Sequence, residues 1–144
     1  MYFVTWGIAI VGWYISNRNN NLREDRKEQL SSIETLKDDA YELEGLAVEY
    51  HTSSSRNKEL EKQIKLKIQR LNQRIEIHQL LNNNSQKCVI KSLRKSITLD
   101  NFDTDSHYAL TIDHKVIRCI NNAVNDMVDI SEQTFRERYP LITR

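Results

Sequence analysis

Residues 33–50 read IETLKDDAYELEGLAVEY, and their main apolar positions are Ile33, Leu36, Ala40, Leu43, Ala47 and Tyr50. The steps between them are 3, 4, 3, 4 and 3. A helix returns to one face about every 3.5 residues, so this stretch is a helix with an unbroken apolar seam, suited to packing against other helices. Leu30 and Leu46 widen the seam into a stripe. Carried backwards, the register meets Gln29 and Arg26, so packing is expected to weaken towards the N-terminus.

Reading forward, the polar run HTSSSRN at 51–57 supplies turn and capping residues. A second helix is expected from about Asn57 to Leu81, with Leu60, Ile64, Ile68, Leu71 and Ile75 on one face. The run NNNS at 82–85 closes it and offers Ser85 as N-cap of a shorter third helix carrying Val89, Ile90, Leu93 and Ile97. LDNFDTDSH at 99–107 reads as a loop, with Asp105 in a capping role. The last helix is expected from roughly Ser106 to Tyr139, with Val116, Ile120, Val124, Met127 and Phe135 on one side. Ile112, Ile117, Val128 and Ile130 broaden that face, and Pro140 ends the helix. Three glycines and one proline in 144 residues leave little for tight turns, and no strand-type alternation of useful length occurs. Short turns between helices favour antiparallel neighbours. The bundle is all-α.

Reading backward, Met1 to Ser16 is MYFVTWGIAIVGWYIS, without one charged side chain. As a helix it rises roughly 24 Å against a hydrocarbon core of about 30 Å, short for a span. Tyr2, Trp6, Trp13 and Tyr14 suit the two interfaces. A cleavable signal peptide fits less well, since no Lys or Arg precedes the run and no A-x-A site follows; a buried core helix is the other alternative. Arg18, Arg23, Arg26 and Lys27 follow the run, which places the N-terminus outside and the remainder in the cytoplasm by the positive-inside rule. The two cysteines, Cys88 and Cys119, form no small-scaffold disulfide pattern and agree with a reducing compartment. The expected layout is a single inner-membrane transmembrane helix (1–16), a cytosolic helical hairpin with a short third helix (17–98), and a C-terminal helix packing on the hairpin (99–144). Thr5, Ala9, Gly12 and Ser16 step by 4, 3 and 4, giving the span a small-residue face suited to self-association.

Charge is unevenly distributed. The net charge is +1, but residues 1–55 balance at −4, residues 56–95 at +8 and residues 96–144 at −3. Within the basic block, Lys58, Lys62, Lys65, Lys67, Arg70, Arg74, Lys91, Arg94 and Lys95 form a candidate surface for an anionic partner. Two readings compete. The block packs against the acidic helices of the same chain, or it faces anionic headgroups or nucleic acid. Few aromatic residues interleave it, so base stacking lacks its usual side chains and nucleic acid ranks low as a partner.

Fingerprints of chemistry are weak. Beyond the apolar run the one glycine is Gly45, which excludes a Walker loop or a dinucleotide fingerprint. Cys88, His107, His114 and Cys119 match no zinc spacing, and Asp100, Asp103 and Asp105 lack the glycine and terminal glutamate of an EF-hand. His78, at the end of the second stripe, reads as a packed or partly exposed residue rather than a base, and sequence order supports no Ser-His-Asp or Cys-His pair. No catalytic residue, metal or cofactor is expected. The expected function is a non-enzymatic, membrane-anchored helical module that binds a protein partner or itself at the cytosolic face. The alternatives are a small membrane-active effector or regulatory subunit, and a binder of anionic lipid or nucleic acid through residues 56–95.

Overall fold

A computed structural model describes the backbone of residues 2–140 and side-chain environments from Trp13 onward, Asn83 excepted. Four helices follow in order: α1 (Tyr2–Thr52), α2 (Lys58–Ile77), α3 (Asn83–Thr98) and α4 (Lys115–Arg138). α1 packs on α2 and α4, α3 packs on α4, and α2 meets α3 more lightly. The Leu110 N–H donates to the His51 carbonyl at 2.8 Å, which brings the approach to α4 beside the end of α1. At the opposite end Arg138 donates to the Gln79 carbonyl at 2.9 Å and Tyr139 to Asp25. The helices therefore alternate up, down, up, down.

The apolar seam of α1 is the floor of the core. Leu36, Ala40, Leu43, Ala47 and Tyr50 are all fully buried, joined by Ile64, Leu71 and Ile75 of α2, Leu93 and Ile97 of α3, and Ile120, Val124 and Met127 of α4. Leu30, expected to widen the seam, is exposed, while Leu46 is half-buried. Only α1 from about residue 29 belongs to the bundle. Residues 13–28 are exposed on every side, including Trp13, Tyr14, Ile15 and Leu22.

The helix ends explain where sequence periodicity misled. α2 stops at Ile77 rather than Leu81, because Gln79 takes a left-handed conformation with φ 49°. The Gln79 and Leu80 N–H groups then bond the Glu76 and Ile75 carbonyls, the double bond pattern of a Schellman close. Asn82, not Ser85, caps α3, its side chain accepting from the Ser85 N–H at 2.9 Å. α4 starts at Lys115 rather than near Ser106, with His114 as its cap. Ile112 consequently lies exposed in the preceding loop instead of on the buried face. Asp105 caps nothing; its carboxylate meets Arg56.

The expected transmembrane anchor is not supported. No helix among the described residues is long and apolar enough to cross a membrane. The charge-free run is the opening of a 51-residue helix that continues without a break through Arg18, Arg23 and Glu24. The single-pass topology and the inner-membrane placement with the N-terminus outside fall with the anchor.

Two expectations follow for stability. Leu43→Asp sets a carboxylate in a fully buried position and removes core packing, which costs about 3–5 kcal/mol. Its circular dichroism melt loses cooperativity, and a parental melt would refute the seam. Gln79→Gly relieves the positive φ while keeping the carbonyl that Arg138 uses, and raises stability by about 0.5–1 kcal/mol in urea titration.

Candidate functional site

The densest collection of ionisable side chains lies where α1 ends, α2 begins and the 99–114 loop crosses above them. Its centre is Glu61, on the same α2 face as Ile64 and Ile68 and only 5% exposed. A carboxylate this deep needs partners. Arg56, in the α1–α2 turn, supplies a two-pronged one: Nε reaches Oε1 at 2.7 Å and an Nη reaches Oε2 at 3.1 Å. The fully buried Tyr50 hydroxyl donates to the same Oε1 at 2.8 Å and accepts from the Asp103 N–H at 3.2 Å. Arg56 also bonds Asp103 and Asp105 of the loop, and Lys65 of α2 meets Asp103 at 2.7 Å.

Aromatic packing completes the assembly. The Tyr50 ring lies 4.9 Å from both Phe102 and His107, and the Lys65 ammonium sits over Phe102 at 5.6 Å. Each nitrogen of His107 faces a backbone carbonyl, Asn101 at 3.2 Å and Ser53 at 3.1 Å. His51 is fully buried; its Nε2 donates to the Ile97 carbonyl at 2.8 Å, while Nδ1 has no partner among the described residues.

These surroundings move the ionisations. Burial and the bond to Glu61 push the Tyr50 phenol up to about 12. The Arg56 guanidinium holds the Glu61 carboxyl below the usual range, against the opposing effect of burial. Lys65 does the same for Asp103. Burial lowers the His51 imidazole, so its neutral form is favoured in the fold. Each group is tied into a structural bond, and among the described residues no three His, Cys, Asp or Glu side chains are placed to hold a metal. These bonds join the end of α1, the start of α2 and the 99–114 loop.

Sequence reasoning did not find this network. The signal was present in Glu61, a charge at apolar-stripe spacing three residues before Ile64, and in Tyr50 at the end of the α1 seam.

The basic block divides in two. On the α1 side of α2, Lys67 reaches Asp39 at 3.1 Å and Glu42, while Arg74 reaches Asp39 at 3.1 Å. Lys65 is taken by Asp103. Lys58, Lys62 and Arg70 of α2 and Lys91, Arg94 and Lys95 of α3 are exposed and form no ion pair among the described residues. Between α2 and α3 the helices part to leave a groove of about 370 Å³, lined by Ile68, Gln69, Asn72 and Ile90, with Lys65 and Arg94 at its rim. Of the small-residue face, Ser16 is exposed, whereas Thr5, Ala9 and Gly12 lie outside the residues with described side chains. Comparison of the chain with protein-family models, with curated proteins and with solved structures found no match.

The two buried groups make stability pH-dependent. His51 has a folded pKa below its unfolded value, so its contribution is full above about pH 6.5 and declines as pH falls below that. Glu61 is likewise depressed, and its contribution is lost further down, as pH falls through and below about 4.3. The thermal midpoint is expected to drop in two stages on acidification. His51→Gln should flatten the first stage and leave the second; a variant with the parental profile would remove His51 from this account. Tyr50→Phe leaves the Glu61 carboxylate and Asp103 N–H each short of a partner, costing about 1–3 kcal/mol in chemical denaturation.

Proposed function

We propose that the protein is a non-enzymatic helical interaction module that binds a protein partner through the basic side formed by α2 and α3. The observation that carries this reading is the division of the basic block. The acids of α1 and of the loop take Lys67, Arg74, Arg56 and Lys65; of the cations left over, Arg70 lies beside Lys67 and Arg74, while Lys58 and Lys62 of α2 and Lys91, Arg94 and Lys95 of α3 are exposed away from those acids. Exposed like charges within one block repel one another, and an anionic partner relieves that repulsion. The titratable cluster around Glu61 argues against a catalytic reading, because its side chains already bond one another and the backbone. A protein is favoured over nucleic acid because neither α2 nor α3 contains an aromatic residue on which bases could stack.

The test is affinity capture by the full-length chain from the cells that express it, beside the double variant Lys62→Glu/Lys91→Glu. A protein recovered in stoichiometric yield should be released between about 0.1 and 0.5 M salt, where screening shortens the reach of surface charge. The double variant should not recover it. Recovery unchanged by the charge reversals, or recovery of nucleic acid in place of protein, would overturn the reading.

A second reading, self-association, is favoured by the exposed stretch 13–28. Ile15 and Leu22 stand 21 and 14 residues before Leu36, so they extend its seam beyond the bundle, where both are exposed. Sedimentation equilibrium should then report a dimer that Leu22→Glu converts to monomer; a parental chain that sediments as a monomer excludes it.

A further inference from the structure

α2 has two lateral edges, and only one is filled. On the α1 edge an apolar seam is flanked by cations that reach acids of the neighbouring helix: Lys67 to Asp39 and Glu42, Arg74 to Asp39. On the α3 edge the same elements recur with fewer acids: Asp103 of the loop takes Lys65, and Arg94 has no acid partner among the described residues. The half-buried Ile90 forms the apolar floor of the groove beside Ile68, which is 8% exposed, and Lys65 and Arg94 stand on opposite rims. Lys62 and Lys91 lie three residues before Lys65 and Arg94 and lengthen the rims by one helical turn. α3 contains no acidic residue at all. A bond from Gln86 Nε2 to Asn72 Oδ1 at 3.4 Å joins the two helices at one end of the opening.

We propose that this groove is the docking site for an acidic amphipathic helix of a partner protein. The inference rests on the interaction-module reading and names the chemistry of its partner. α1 itself supplies the template: an apolar stripe flanked by Asp and Glu, seated against α2 through Lys67 and Arg74. A partner helix of the same pattern lays its stripe on Ile68 and Ile90 and aims its acids at the rims, the groove-docking mode read through anchors at i, i+3 and i+4. A phosphate backbone would use the rims and leave the exposed part of Ile90 in water. A flat anionic membrane surface would not reach the floor of a concave groove. Both floor and rims are satisfied by an acidic helix.

The probe is a fluorescein-labelled 18-residue peptide of Leu and Glu with its leucines at helical spacing, titrated with the full-length chain and read by anisotropy. A scrambled peptide of identical composition separates the apolar stripe from bulk charge. The stripe-bearing peptide should bind, and the scrambled one at least about tenfold more weakly. Arg94→Glu and Ile90→Ala should each weaken binding at least about fivefold, and Lys115→Glu, at the start of α4, should not. Ile90 is only half-buried, so Ile90→Ala keeps the fold, which a circular dichroism melt verifies. Equal binding of the two peptides, or no effect of Ile90→Ala, overturns the proposal in favour of a diffuse cationic field. Tighter binding of a single-stranded oligonucleotide or of anionic phospholipid vesicles, lost on Arg94→Glu, overturns it in favour of that partner. If neither peptide binds while cellular capture still depends on Lys62 and Lys91, the groove assignment fails and the interaction-module reading stands.

Discussion

Glu61 imposes the constraint from which the top of the molecule is organised. A carboxylate at 5% exposure, in line with the apolar residues of α2, is tolerable only with its charge matched at close range. Arg56 supplies that match from the turn immediately before α2, which fixes the path of the chain between α1 and α2. Its remaining donors draw Asp103 and Asp105, and with them the whole 99–114 loop, across the end of the bundle. The Tyr50 hydroxyl bonds both Glu61 and the loop backbone, so the last buried residue of the α1 seam helps hold the loop. From there Leu110 reaches back to His51, and α4 begins where the core can receive it. One buried charge thereby couples three helices and the longest connection in the chain.

How far the fold could be read in advance depended on which force set each element. The α1 seam and the α2 stripe were legible because burial at helical spacing is a strong periodic signal, and all six α1 seam residues are buried. Ends set by hydrogen bonds were less so. Asn82 and Ser85 are both good caps by type, and only backbone geometry selects Asn82. Ile112, four residues before Val116, mimics the start of a helical stripe. A bond from the Leu110 N–H to a carbonyl 59 residues earlier holds that segment in a loop, and this bond has no local signature. The N-terminal run showed the limit of composition. Its sixteen charge-free residues are genuine, but from Tyr2 the chain forms a long helix that soon turns polar, and apolar length is what a span requires.

The candidate binding side was partly legible for a related reason. Sequence located the excess of positive charge, since summing charges needs no geometry. It could not say which lysines face acids of the same chain, because that depends on the rotation of α2 about its axis. Lys67 and Arg74 point to one side and Lys62 to another, though they share one helix. The splay between α2 and α3 is equally invisible in sequence, yet it leaves Ile90 half-buried instead of sealed.

The uneven support along α1 has a further consequence. From Gln29 onward α1 packs on α2 and α4, whereas residues 13–28 are exposed, touched by α4 through Tyr139 at Asp25, and include the weak helix formers Asn17, Asn19, Asn20 and Asn21. A single helical element therefore spans two regimes of local stability. Amide hydrogens of the exposed half should exchange through fraying at small free energy, and those of the seam only through global opening. The boundary falls where Tyr139 bonds Asp25 and Arg138 meets Gln29, so the tail of α4 serves as a clasp that stops unwinding from entering the bundle. Whatever tightens or loosens that clasp sets how much of α1 is helical at any instant.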